Sequence, residues 1–154
     1  MSIKPYNAFE DEALDNAGNT IARRGVNKFL SEYVAQTAVD PNPQNSESRV
    51  WPHDTQDVRL EVLRYPNRVH LGYIASLRPE KPGAGSMALK WLCNLADKYK
   101  VVIELVVANP TGKTAKLSKA ELTNWYKRNG FEEDKRSGDG TMIRVPQKGR
   151  GWPT

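Results

Sequence analysis

Apolar positions along this chain follow three rhythms, and each predicts a kind of element. Strict alternation marks residues 57–65, where Val58, Leu60 and Val62 alternate with Arg59 and Glu61. It recurs over residues 69–77, placing Val69, Leu71, Tyr73, Ala75 and Leu77 on one face of a strand. Pro66-Asn67 between them predicts an antiparallel hairpin. Helical spacing marks residues 84–100, where Ala88, Leu89, Leu92, Leu95, Ala96 and Tyr99 form one stripe, opposite Lys90, Asn94, Asp97 and Lys98. A second helical stripe, Ile21, Val26, Phe29, Leu30, Tyr33 and Val34, spans residues 20–38. Asn19 or Thr20 can cap it, and Arg23-Arg24-Gly25 can split it into two short helices. The third rhythm is continuous. Residues 101–108 read VVIELVVA, the pattern of a central strand covered on both faces. Following a helix directly, this strand is expected parallel to residues 69–77, through a right-handed crossover.

Other segments are less patterned. Residues 2–6 can form a short edge strand limited by Pro5. Residues 40–57, rich in Pro, Asn and Ser, read as a long loop in which Val50 and Trp51 are an anchor or a very short strand and His53 is exposed. Ser118 and Glu121 form a capping box for a helix that carries Leu122, Trp125 and Tyr126 and stops at Asn129-Gly130. Leu122 lies three residues before Trp125 and four before Tyr126, so the two rings diverge by about 100°. Trp125 is expected to pack into the core, with Tyr126 flanking the apolar stripe from the opposite side. Two closing strands, residues 131–134 and 141–145, precede a basic Pro/Gly-rich tail.

Composition narrows the class. A chain of 154 residues with 38% apolar and 27% charged residues is expected to be one globular domain. Its one cysteine, Cys93, lies inside a helix stripe, which excludes a disulfide framework and reads as a small buried apolar residue. No signal peptide and no membrane-length apolar run is visible, so a cytoplasmic location is expected. A net charge of +5 permits an acidic partner without demanding one.

The chemistry gathers around residues 78–87. Gly83, Ala84, Gly85 and Ser86 stand where a strand gives way to a helix, and small residues there let the backbone approach a ligand. The free N–H groups of the first turn, with the helix dipole, make an anion site. A compact turn without a ligand is the other reading. Gly112-Lys113-Thr114 imitates the end of a P-loop, but the glycine required five residues earlier is Val107. Glu104, the one charge in the apolar run, either faces a cleft or lies at a sheet surface.

In this order the elements resemble the GNAT superfamily of acyl-CoA-dependent N-acetyltransferases over residues 57–145. Gly83-Ala84-Gly85-Ser86-Met87-Ala88-Leu89 is similar to the second half of that family's pyrophosphate motif, Q/R-x-x-G-x-G/A. Tyr126-Lys127-Arg128-Asn129-Gly130-Phe131 is similar to its Y-x-x-x-G-F signature. Glu80 departs from the Gln/Arg expected before the glycines; Lys81 or Arg78 can supply the positive charge instead.

The resemblance implies an α/β fold in which a twisted mixed sheet, flanked by helices, splays between its two central parallel strands. It implies variable helices and a loop over residues 1–56, an acyl-CoA-binding core over 57–145 and a tail over 146–154. Acetyl-CoA would be the co-substrate, with no metal. Ala75, Ser76, Leu77, Arg78, Lys81, Gly83, Ala84, Gly85, Ser86, Met87 and Asn109 would hold it, with Tyr126 at the thioester. A free amine attacks the thioester directly, and Tyr126 gives a proton to the leaving thiolate. The base is His70, imidazole being the side chain suited to proton transfer near neutral pH, or Glu104. The acceptor stays open: a small amine, a protein N-terminus, a lysine or an aminoacyl-tRNA, while the acidic cluster Glu10, Asp11, Glu12 and Asp15 suits a cationic acceptor. A monomer and a homodimer are both compatible with exposed edge strands. Two other classes remain: a GNAT-like binding protein without catalysis, and a small basic nucleic-acid-binding protein.

Overall fold

The computed structural model describes residues 17–43, 46–107, 117–135 and 140–147, with side chains of the first helix from Ala22 onward. The elements are α1 (Ala17–Gln36), β1 (Ala38–Val39), β2 (Ser48–Trp51), β3 (Val58–Arg64), β4 (Val69–Ser76), α2 (Ala84–Tyr99), β5 (Ile103–Val106), α3 (Lys119–Arg128), β6 (Glu132–Glu133) and β7 (Thr141–Arg144). The strands form one seven-stranded sheet in the order β1-β2-β3-β4-β5-β7-β6. Among the described strands only β4 and β5 run parallel; every other neighbouring pair is antiparallel. This is the mixed sheet with flanking helices that the sequence led one to expect. The edge strand expected over residues 2–6 and the Gly112-Lys113-Thr114 segment lie outside the described residues.

Cross-strand pairing separates the two faces of the sheet. Val58, Leu60, Val62, Val69, Leu71, Ile103, Leu105 and Met142 are buried on one face. Val26, Phe29 and Tyr33 of α1 and Ala88, Leu89, Leu92 and Leu95 of α2 join them in the core. Their alternation in the strands and their helical spacing put them there, and the apolar surface removed from water is what holds the layers together.

α1 runs without interruption through Arg23-Arg24-Gly25, and Asn19 and Thr20 lie inside it rather than at its start. Gly25 is there for proximity. A Cβ on it would stand 2.5 Å from the backbone oxygen of Tyr99, so the missing side chain lets α1 lie directly on the end of α2. Residues 40–57 are also more regular than a loop. β1 and β2 pair antiparallel, and β2 extends the sheet beside β3. Trp51 of β2 stacks on Trp91 of α2 at 5.3 Å, and Trp91 in turn stacks on Tyr33.

Two buried charges fasten the periphery. Arg59 points away from the helical core and donates to Asp40 at 2.5 and 3.2 Å; Ser48 donates to the same carboxylate. Arg144 at the other side donates to both oxygens of Asp97, at 2.7 and 3.0 Å, and to the Asn129 carbonyl at 2.7 Å. It thereby ties β7 to the last turn of α2 and to the end of α3. Such pairs are costly to desolvate, and here two or more hydrogen bonds to each carboxylate offset that cost.

Candidate functional site

The site begins where the central parallel pairing ends. β4 and β5 are in register at Val69–Ile103, His70–Glu104 and Leu71–Leu105, and no further. β4 continues from Gly72 to Ser76 with β3 on one side only. A bulge falls at this point: Glu61 opposes Tyr73, the next residue Val62 opposes Leu71, and Gly72 is the extra residue. The bulge corrects the expected alternation. Val69 and Leu71 face the core, but Tyr73 and Ala75 fall on the opposite face, across from Glu61 and Arg59.

Beyond the bulge β4 carries unclaimed backbone groups. Leu77 N–H donates to Asp57 O at 2.7 Å, on the β3 side. By alternation, the N–H and C=O groups of Ile74 and Ser76 point to the other edge, where β5 no longer runs alongside. An extended ligand lying there would find strand-like partners.

The strand leads into the start of α2. Gly83 caps the helix with φ 84°, a left-handed conformation suited to glycine, and no side chain caps it. The first intrahelical bond runs from Met87 N–H to Gly83 O at 2.9 Å. The N–H groups of Ala84, Gly85 and Ser86 therefore have no partner within the helix. A Cβ at Gly83 or Gly85 would meet nothing within 4 Å, so the space before these donors is open. Ser86 Oγ accepts from Trp125 Nε1 at 3.0 Å, which fastens α3 over the helix start.

The expected supply of positive charge is more guarded. Lys81 Nζ lies 2.8 Å from Asp57 Oδ2 and Arg78 Nε 3.4 Å from Asp57 Oδ1. The Lys81 hydrogen bond, against the opposing effect of burial, lowers the Asp57 carboxyl below its ordinary range. Both cations of this loop are drawn to Asp57, and exposed Glu80 adds a further negative charge nearby in sequence. Anion binding at this end would rest on the backbone donors of α2 more than on net charge.

α3 begins as expected. Ser118 Oγ accepts from Glu121 N–H and the Glu121 carboxylate accepts from Ser118 N–H. The depths of its aromatic residues reverse the expectation. Tyr126 is the buried residue of the helix, 9% exposed, with its ring edge-on to Phe131 at 5.4 Å. Trp125 is half-buried at the rim, where its indole nitrogen finds Ser86. The physical reason is polar: an indole N–H seeks a partner, and the rim offers one. Burial pushes the Tyr126 phenol up to about 12.

His70 and Glu104 stand side by side on the face of the sheet away from Leu71, Leu105 and the core that holds Tyr126. His70 Nδ1 is 3.1 Å from Glu104 Oε2, and Arg68 Nε is 2.5 Å from Glu104 Oε1. Tyr65 lies near the imidazole at 6.0 Å between ring centroids, with the Arg68 guanidinium 4.5 Å from the Tyr65 ring centre. Burial would raise the Glu104 carboxyl, but the hydrogen bonds from Arg68 and His70 outweigh it and hold it below its ordinary value.

The structure thus gathers Ala75, Ser76, Leu77, Arg78, Lys81, Gly83, Ala84, Gly85, Ser86 and Met87 along one strand-loop-helix path. Tyr126 reaches the core from α3, next to Trp125, which contacts that path. His70 and Glu104 form a separate pair on the other face, on the last rung but one of the β4–β5 ladder. Asn109 lies outside the described residues. Sequence reasoning missed Trp125 as a brace, Asp57 as the anchor of the loop and Arg68 as the partner of Glu104. A strand residue in polar alternation, such as Asp57, was the one signal present.

Among the described residues, no helix is long and apolar enough to cross a membrane, and no group of three or more His, Cys, Asp or Glu side chains is placed to hold a metal ion. No family model matches the sequence, and no curated protein matches it. Among solved structures, the chain is similar to the anti-CRISPR protein AcrVA5, at 20% identity over 66% of this chain and 93% of that one, with a TM-score of 0.43. It is also similar to Tetrahymena GCN5, at 15% identity over 84% of each chain, with a TM-score of 0.42.

Proposed function

We propose that this chain is an N-acetyltransferase that moves an acetyl group from acetyl-CoA to a primary amine. One observation carries the reading: the central parallel pair opens after Leu71–Leu105 and leads straight to an uncapped helix start at Gly83 with open space before it. A donor with an extended amide-bearing arm and a pyrophosphate matches both halves of that path. The arm would pair with the free groups of Ile74 and Ser76, and the pyrophosphate with the N–H groups of Ala84, Gly85 and Ser86. Met87, which is 64% exposed beside them, offers apolar contact.

In the reaction the amine nitrogen attacks the thioester carbonyl, a C–N bond forms and the C–S bond breaks. The sulfur leaves with the electron pair. Tyr126, raised by burial, is protonated throughout the neutral range, the state a donor needs. A phenol near 12 gives up its proton reluctantly to a thiolate, whose conjugate acid lies near 8.5. Its contribution is therefore a hydrogen bond to the charge developing on sulfur, with the proton following as the bond breaks. The amine must shed a proton, and His70 takes it at Nε2, directly or through water. Donor and base lie on opposite faces of the sheet, so neither blocks the other.

Calorimetry with acetyl-CoA tests the cofactor, and release of free CoA on a panel of amines tests the transfer. Acetyl-CoA binding with amine-dependent CoA release is the expected result. No binding at millimolar acetyl-CoA overturns the acetyltransferase reading; binding without transfer to any amine turns it into a CoA-binding protein.

A further inference from the structure

The pair His70–Glu104 has a third member that shapes what each can do. Arg68 Nε, at 2.5 Å, holds one carboxylate oxygen of Glu104, and His70 Nδ1, at 3.1 Å, faces the other. A carboxylate accepts and does not donate, so a neutral imidazole in this contact carries its proton on Nδ1. The lone pair is then on Nε2, the nitrogen not engaged by Glu104. Backbone register fixes the arrangement, because His70 and Glu104 are direct partners across the parallel ladder, on the last rung but one before the sheet opens. The Glu104 side chain is 21% exposed and that of His70 18%, so neither rotates freely in solvent. Glu104 is also held ionised by Arg68, which makes it a poor proton acceptor.

On the acetyltransferase reading above, we propose that Glu104 is a positioning residue that fixes the tautomer of His70, with Arg68 holding Glu104 in place, so that Nε2 receives the amine's proton. The two candidate bases are then not alternatives. One acts on the proton and the other orients it, and removing either should disable the same step.

The test has two arms. The first needs no donor and no acceptor: nitrogen-15 NMR of the imidazole ring reads which nitrogen carries the proton. The chain has two histidines, so His70→Gln assigns the signals. The wild type is expected to show the Nδ1–H form of His70. Glu104→Gln offers an amide N–H in place of one oxygen and should shift the population toward Nε2–H. The second arm is steady-state kinetics on an accepted amine. Glu104→Gln should lower kcat by roughly tenfold or more, a share of the 10²–10⁴-fold that a general base supplies, with KM for acetyl-CoA unchanged. His70→Gln combined with Glu104→Gln should be no slower than His70→Gln alone. Glu104→Asp, which keeps the charge, should recover part of the loss, and thermal melts identify any variant that fails to fold.

A wild-type Nε2–H tautomer overturns the proposal, as does an unchanged tautomer in Glu104→Gln, whatever the activity. Wild-type kcat in folded Glu104→Gln, or additive losses in the double variant, overturn it as well. Absence of acetyl-CoA binding removes the function and with it any catalytic role for the pair, while the tautomer arm still decides whether Glu104 orients His70.

Discussion

The two halves of β4 do opposite things with the same backbone. From Val69 to Leu71 the strand is closed on both sides, its apolar side chains sunk into the core and its one polar side chain held in the ion-pair cluster with Glu104. From Gly72 to Ser76 it keeps β3 and loses β5, and its side chains are exposed or half-buried. The bulge at Gly72 divides them. Rigidity and access are needed at one place, and a strand that is zipped for part of its length and free for the rest supplies both. The closed half fixes where the open half begins, to within one residue.

Substitutions at the open end should spare stability and destroy binding. Gly83→Glu or Gly85→Glu places a side chain and a negative charge before the N–H donors of α2. Acetyl-CoA affinity should be lost in calorimetry. Gly85→Glu should leave the melting temperature near wild type, because the space it enters is open and the backbone there is ordinary helix. Gly83→Glu adds strain, since φ is 84°, and its melt should fall modestly. Full affinity in Gly85→Glu would remove the helix start from the site.

Tyr126→Phe deletes one oxygen from a buried ring. Stability and acetyl-CoA affinity should stay close to wild type. Turnover should fall roughly 10²–10³-fold, the scale for one donor aimed at developing charge, provided chemistry limits the rate. Wild-type turnover under that condition would exclude the phenol.

The ladder that continues the closed half, through β5 to β7, should answer in stability instead. Arg144 pairs with Ile103 across the ladder and holds Asp97 and the Asn129 carbonyl. Arg144→Met leaves the Asp97 carboxylate without its cation, keeping only the Gln147 N–H at 2.8 Å, and should cost about 3 kcal/mol of stability in denaturant melts. The fraction still folded should bind acetyl-CoA normally. Lost affinity in the folded fraction would show that the two halves are not separable.

Acid should loosen the periphery before the site. The hydrogen bond from Arg59, opposed by burial and aided by Ser48, holds Asp40 at about 2 against 3.8 for a free carboxyl. A depressed folded value stabilises above the unfolded one. The contribution is therefore complete above about pH 4 and is lost as the pH falls toward 2, roughly 2 kcal/mol in all. Replacing Asp40 with Asn should flatten the stability curve in that window, and an unchanged slope would count against the pair.

These contrasts also explain what could be read from the chain alone. Ser118 and Glu121 announce a cap because a cap is local, three residues wide, and the stripe on α2 is local in the same sense. Gly72 was not legible as a bulge: the apolar pattern 69–77 looks unbroken, and only the register against Glu61 and Val62 shows the slip. Trp125 and Tyr126 were separable by angle but not by depth, since depth depends on Ser86, thirty-nine residues away. Nothing in the sequence marks Arg59 and Arg144 as buried, because their carboxylate partners stand nineteen and forty-seven residues off. The uncapped helix start at Gly83 was readable as geometry, because small residues mark a strand-to-helix turn. The pairing of His70 with Glu104 was not, because it needs two strands in known register.

Cys93 has a practical side. It is the single thiol of the chain, buried inside α2, and desolvation pushes it up to about 11. At neutral pH it is neither ionised nor within reach of a thiol-specific dye. If the protein releases CoA, every sulfhydryl that a colorimetric reagent counts in the folded sample is product, and the background is silent. A slow rise in that background without substrate would then report opening of the core, so one reagent can follow both turnover and unfolding.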